Sequence, residues 1–272
     1  MPKWESISDW GRRASDAGAT PPVSPMRDLM LEAVIAHEQV DLLYQPLIDV
    51  RTGALVGAEA LARSAIARDA ESLFMRAEGA HLGERLSRLI QRKALRSAAA
   101  WEGPLSDLGL SINLLPADLS RPRYEHWLLG EIEAAEIDPA RITLEITEGA
   151  LIADRDQVAD RLGALRAVGL SIAVDDLGAG YSRLDYLTAL PLDMLKIDRG
   201  LVGDIARSER DQIVVKALIR LARELGLKVV VEGVETGEQL ALLREWGCDM
   251  YQGFFGAMPL THEELTGFAA AA

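Results

Sequence analysis

The chain has 272 residues, with 29 basic against 42 acidic side chains and a formal net charge of −13. That length suits one large α/β domain or two small ones, and 49% hydrophobic with 26% charged residues is globular composition, which argues against a disordered chain. The acidic balance argues against sequence-independent binding to a DNA or RNA polymer, and any anionic substrate has to be met by local Lys/Arg or by bound cations.

Residues 1–24 are rich in Ser, Ala, Gly and Pro, end in TPPVSP, and read as an extension or linker ahead of one domain spanning 25–272. Ser24 as N-cap with Pro25 at the first helical position predicts a helix running to about His37. From Leu42 onward, strand-like runs recur: LLYQPLIDV, ALVGAEAL, LSINL, ITLEIT, SIAVDD, MLKID, KVVVEGV and MYQGF. Helical stretches such as RDQVADRLGALRAV, ERDQIVVKALIRLAREL and GEQLALLREW lie between the later ones. About eight strands in one α/β unit predict a (β/α)8 TIM-type barrel rather than an open doubly wound sheet. Only VRTG separates the first two strands, which predicts a hairpin and hence one antiparallel strand in an otherwise parallel barrel. Ser182 with Asp185 reads as a helix N-cap pair, and Thr236 with Gln239 as a capping box. Gly178 and Gly180 supply backbone freedom after Asp176.

Several chemistries drop out. Cys248 is the single cysteine, so neither an intrachain disulfide nor a thiolate zinc cluster can form. His37, His81, His126 and His262 lack metal-ligand spacing. The N-terminus has no signal-peptide apolar stretch, and no later run approaches the ~20 apolar residues of a membrane span. A cytoplasmic chain without a membrane span is expected.

The informative residues are polar ones inside the strands. Glu59, Asn113, Glu145, Asp175, Lys196, Glu232 and Gln252 each fall within or at the C-terminal end of a predicted strand. Alternate residues of barrel strands face the axis, and that end is where barrel active sites are built. A single strand-end carboxylate is more often a solvated residue. Four carboxylates, an Asn, a Gln and a Lys in corresponding places on different strands are much harder to dismiss, and carboxylates converging there would repel one another unless cations bind. Oxygen donors without His or Cys select hard divalent ions, Mg²⁺ or Mn²⁺.

The same residues carry a family resemblance. GAEALARS, with Glu59, Leu61 and Arg63, resembles the signature of EAL-domain proteins, whose active members hydrolyse cyclic di-GMP. The likeness continues through YQP (Tyr44–Pro46), SINL, LEITE (Leu144–Glu148), DDLGAGYS (Asp175–Ser182), LKIDR (Leu195–Arg199), VEGVE (Val231–Glu235) and QGFF (Gln252–Phe255). These eight ordered blocks cover roughly residues 27–262. The resemblance implies a barrel with one reversed strand. It further implies that Glu59, Asn113, Glu145 and Asp175 ligate one metal ion, that Asp175 with Asp176 holds a second, and that Glu232 completes the site and helps deprotonate water. By the same likeness, Lys196 orients that water and Gln252 lies beside it, with Glu235 supporting the catalytic group. Gln45, Leu61, Arg63 and Asp198 match substrate-binding positions, Gln45 toward guanine and Arg63 toward phosphate. Glu148 matches an anchor for the loop after Asp176. Two divalent ions reverse the local sign and let an acidic protein accept a substrate with two phosphates. The expected reaction opens one phosphodiester of cyclic di-GMP to give 5′-pGpG. The resemblance also implies a homodimer and an upstream sensory domain or partner.

Some positions depart from the family pattern: Leu177 for a usual Phe, Ala179 for Thr, Arg183 for Ser, Ser64 for Trp and Leu115 for Ser. None is a matched ligand. The rival reading is a catalytically inactive EAL module acting as a nucleotide receptor or protein-interaction domain. The complete set of matched acidic positions and Lys196 favours the enzyme.

Overall fold

The computed structural model describes residues 27–147, 155–178 and 184–271. The extension 1–24, Glu148, Ser182 and the substitutions at Ala179 and Arg183 lie outside these residues. Strands β1 (Asp41–Asp49), β2 (Leu55–Arg63), β3 (Gly109–Leu114), β4 (Ile142–Thr147), β5 (Ser171–Leu177), β6 (Met194–Ile197), β7 (Lys228–Val231) and β8 (Met250–Tyr251) close into a barrel in chain order. β1 runs antiparallel to both β2 and β8, and every other pairing is parallel. The reversed first strand that the VRTG turn predicts is therefore present.

The helical layer comprises α1 (Leu29–Ala36), α2 (Ala70–Gly79), α3 (Gly83–Ala99), α4 (Pro116–Ser120), α5 (Tyr124–Ala134) and α6 (Arg155–Ala167). It continues with α7 (Tyr186–Ala189), α8 (Arg199–Val202), α9 (Glu209–Glu224), α10 (Gly237–Trp246) and α11 (His262–Ala271). Strand residues alternate between the barrel axis and this layer. Ile112, Leu144, Ile146, Ile172, Val174, Leu195, Ile197, Val229 and Val231 belong to the main buried core. A second core gathers Leu31, Leu73, Leu86 and Ala62, packing α1, α2 and α3 over the end of β2.

The first helix begins later than the sequence predicts. Asp28, not Ser24, is its N-cap, and the Asp28 carboxylate accepts the Leu31 N–H at 3.0 Å. The same carboxylate pairs with the Arg76 guanidinium on α2. A cap that also anchors a neighbouring helix outweighs the local Ser-Pro signal.

Candidate active site

Each strand delivers one polar side chain to the same rim. Glu59 comes from β2, Asn113 from β3, Glu145 from β4, Asp175 from β5 and Lys196 from β6. Glu232 and Gln252 stand one residue past β7 and β8. Register explains the convergence: Asn113 pairs with Glu145, and Gln45 on β1 lies directly opposite Glu59. β7 and β8 are shorter than the runs KVVVEGV and MYQGF predict, because the chain turns at Gly233 and Gly253. A Cβ on Gly253 would stand 2.3 Å from the backbone N and O of Val234, and one on Gly233, at φ +67°, would meet Cβ of Arg199 at 2.3 Å. Only glycine allows these two loops to close against each other, and that closure sets Glu232 and Gln252 at the rim.

Asp176 reaches the site by another route. Strand alternation would send it to the face opposite Asp175. Instead it sits at φ +61°, in a register shift between Val174 and Leu177. Asp is one of the few side chains that tolerates this left-handed conformation, and a bulge re-aims a side chain. Its N–H donates to Asp175 Oδ1 at 2.9 Å.

Lys196 is the electrostatic centre. Its Nζ lies 2.7 Å from Glu145 Oε2, 2.8 Å from Glu232 Oε1, 3.2 Å from Asp175 Oδ1 and 3.3 Å from Glu59 Oε2. Asn113 Nδ2 donates to Glu59 Oε1 at 2.9 Å, and Gln252 Nε2 donates to Glu59 Oε2 at 2.9 Å and to Glu232 Oε1 at 3.0 Å. Burial alone would lower the Lys196 ammonium, but the surrounding carboxylates outweigh it and hold its pKa well above the ordinary value. Burial, with Glu59 and Asp175 nearby, raises Glu145 well above the carboxylate range. Glu232 is pushed up to about 7 by burial, against the pull of Lys196. Burial would also raise Glu59, yet Lys196, Gln252 and Asn113 together leave it below its usual value. Asp176 is raised by burial and by Asp175.

Four carboxylates around one ammonium leave an excess of negative charge in a low-dielectric site, and two ion-sized groupings result. Oxygens of Glu59, Glu145 and Asp175 lie within 4.8 Å of one another, as do those of Asp175, Asp176 and Glu232. Both groupings share Asp175. An all-oxygen donor set with a bridging carboxylate suits a pair of hard divalent ions and fits neither copper nor a thiolate-bound metal.

A cleft of about 440 Å³ opens over this cluster, lined on its polar side by Glu59, Asp175, Asp176, Asp198, Glu232 and Glu235. Gln45, Leu61 and Gln252 also line it, and the Gln45 amide donates to the Ala257 carbonyl at 2.9 Å. Asp198 additionally caps α8 through the Gly200 N–H at 2.8 Å. Arg63 does not line the cleft; its guanidinium donates to the Ala62 carbonyl at 2.9 Å. Glu148, the expected loop anchor, lies outside the described residues. The cleft also contains Arg199, Phe254 and Pro259, which sequence reasoning left without a role. Arg199 and Phe254 belong to the LKIDR and QGFF blocks, so their place in the order of motifs was the available signal.

Residues 28–259 match the EAL domain family. Cyclic di-GMP phosphodiesterase PA2567 of Pseudomonas aeruginosa is 36% identical over 239 residues, covering 86% of this chain and 40% of that protein. Among solved structures, the PaMucR phosphodiesterase in complex with c-di-GMP superposes with a TM-score of 0.80 at 31% identity, covering 87% of this chain and all of that one. The manganese/cy-diGMP complex of Klebsiella pneumoniae BlrP1 gives a TM-score of 0.72 at 32% identity, with 81% of this chain and 57% of that chain covered. The chain spans well under half the length of the curated relatives it matches. A closed barrel with its first strand reversed, an acidic rim around Lys196, and a match over nearly every described residue have one explanation: the chain belongs to the EAL domain family.

Proposed function

We propose that this chain is a metal-dependent phosphodiesterase that hydrolyses cyclic di-GMP to linear 5′-pGpG with two divalent ions, Mg²⁺ or Mn²⁺. The observation that carries the reading is the pair of carboxylate groupings sharing Asp175 around a buried lysine. Glu59, Asn113, Glu145 and Asp175 would hold one ion, and Asp175, Asp176 and Glu232 the other. Bound there, the ions would neutralise phosphodiester charge and acidify water.

The chain's own residues supply the rest. Glu232 lines the cleft beside Gln252 and Lys196, placed to accept a proton from the attacking water. The Gln252 amide, between Glu59 and Glu232, and the Lys196 ammonium orient that water. Attack forms one P–O bond, breaks the bond to one ribose 3′ oxygen and leaves a 5′-phosphate, the proton passing to the departing oxygen. Gln45, Leu61, Phe254 and Pro259 form the less acidic flank, suited to a purine face and edge, while Arg199 and Asp198 border the polar side. Arg63 serves a phosphate once its guanidinium leaves the Ala62 carbonyl. Glu235 steadies the rim near Glu232, and Glu148 anchors the loop after Asp176. The family resemblance also carries a homodimer, a sensory partner and a cytoplasmic site of action.

The test is incubation of purified protein with cyclic di-GMP and Mn²⁺, followed by chromatography of the products. The expected result is pGpG that fails to form when a chelator is present, with turnover of Glu59→Ala below about 1% of wild type once a ligand carboxylate is lost. Tight nucleotide binding with no product would replace the enzyme by the receptor.

A further inference from the structure

Between α3, α4 and the end of β3 lies an enclosed polar network that the reaction itself does not use. Asp118, on α4, is 0% exposed. Its Oδ2 accepts from the Ser87 hydroxyl at 2.7 Å, the Leu115 N–H at 3.0 Å and Gln91 Nε2 at 3.2 Å, and its Oδ1 accepts from Arg121. Gln91 Nε2 also lies 3.1 Å from Ser87 Oγ and 3.2 Å from the Asn113 carbonyl, while Gln91 Oε1 accepts from the Tyr124 hydroxyl at 2.8 Å.

Two of these bonds leave the network for the main chain, and they bracket one short segment. Gln91 holds the carbonyl of Asn113, and Asp118 holds the N–H of Leu115, two residues later. Leu115 is the N-cap of α4 and has no capping side chain; its own N–H reaches the Asp118 carboxylate, while the Asp118 N–H donates to the Leu115 carbonyl at 2.9 Å, so the two residues are tied in both directions. A desolvated carboxylate is costly unless fully hydrogen-bonded, and an apolar residue would fill the same volume without that cost. The network therefore spends its polarity on fixing the backbone either side of Leu114. The side chain so fixed is Asn113, which reaches Glu59 at 2.9 Å.

We infer that Gln91 and Asp118 are positioning residues that hold Asn113 ready to ligate a divalent ion beside Glu59 and Glu145. The inference rests on the two-ion reading above. Partners that orient ligands in this way alter metal affinity by about 10–100-fold when removed.

The experiment measures Mn²⁺ binding directly, by electron paramagnetic resonance of free Mn²⁺ during titration of the full chain without nucleotide, alongside thermal melting. Gln91→Met keeps the volume and removes every bond of the amide. It is expected to weaken Mn²⁺ binding about tenfold. Should Gln91→Met fail to fold, Ser87→Ala removes one donor from Asp118, with an expected weakening of about threefold. Ser97→Ala, which removes the Tyr44–Ser97 hydrogen bond elsewhere on α3, is expected to leave Mn²⁺ affinity unchanged whatever it does to melting. Network variants with wild-type Mn²⁺ affinity would overturn the inference, as would equal weakening by Ser97→Ala. A wild-type protein that binds no Mn²⁺ would instead overturn the two-ion reading, and the inference with it.

Discussion

Lys196 is 2% exposed and meets four carboxylates, so in the absence of divalent ions it is the cation that holds the acidic rim together. Removing one partner of a buried charge cluster costs about 3–5 kcal/mol, because the others are left desolvated and unpaired. Lys196→Met is therefore expected to melt well below wild type without metal and to gain more from added Mn²⁺ than wild type gains. Equal gains in a thermal-shift titration would refute that role. At this scale the sequence was partly legible. Glu59, Glu145 and Asp175 stand out because each is an acid inside an apolar run, which alternation turns toward the axis. Asp176 is different: its adjacency to Asp175 was visible, but alternation points it away, and only the left-handed backbone at φ +61° brings it back. Arg199, Phe254 and Pro259 follow the strands or sit in loops, where no periodicity marks a direction.

Elements are set by their ends. Thr236 caps α10 as the T-x-x-Q spacing predicts: its hydroxyl accepts the Gln239 N–H at 3.2 Å, and Gln239 Oε1 accepts the Thr236 N–H at 2.9 Å. Thr236→Ala is expected to cost about 1 kcal/mol in denaturant unfolding and to leave turnover unchanged. At α1, Arg76 and the Leu31 N–H hold the Asp28 carboxyl down at about 2. The folded value lies below the unfolded value of about 3.9, so the pair stabilises above about pH 4 and its contribution disappears as pH falls toward 2. Asp28→Asn keeps a capping side chain but drops the charge. Its unfolding free energy should trail wild type at pH 6, by about 1 kcal/mol for a partly solvated pair, and converge with it near pH 2. A gap of the same size at both pH values would remove Arg76 from the explanation. Helices with amphipathic patterns were legible nearly to the residue, as with Gly237–Trp246. The start of α1 was not, because it depends on Arg76, far away in sequence. The ends of β7 and β8 were not either, because they depend on two loops packing backbone to backbone.

For the molecule as a whole, a formal charge of −13 and a concentrated acidic rim predict that divalent cations stabilise the fold. Mn²⁺ at a hundredfold excess over its Kd is expected to add about 2.7 kcal/mol for each ion bound, roughly 5–10 °C of melting temperature per ion for a chain of this size. Sodium chloride at matched ionic strength should give no comparable rise, and an equal rise would mean general screening rather than ligation. Among the described residues, no helix is long and apolar enough to cross a membrane. Barrel closure was legible from the count of strand runs, since the parallel strands buried on both faces read as continuous apolar stretches. The reversal of β1 reaches further than strand order. Asp41 pairs with Arg63 at the top of β2, so β1 starts where β2 and the strands parallel to it finish. In an all-parallel barrel the first strand would rise from the floor, a full strand length from the reacting groups. Here the polypeptide arrives at the working rim, and α1, four residues upstream of β1, rests against α3 beside it. The chain therefore enters the barrel beside Leu61 and the mouth of the cleft, at the end where the acidic side chains gather.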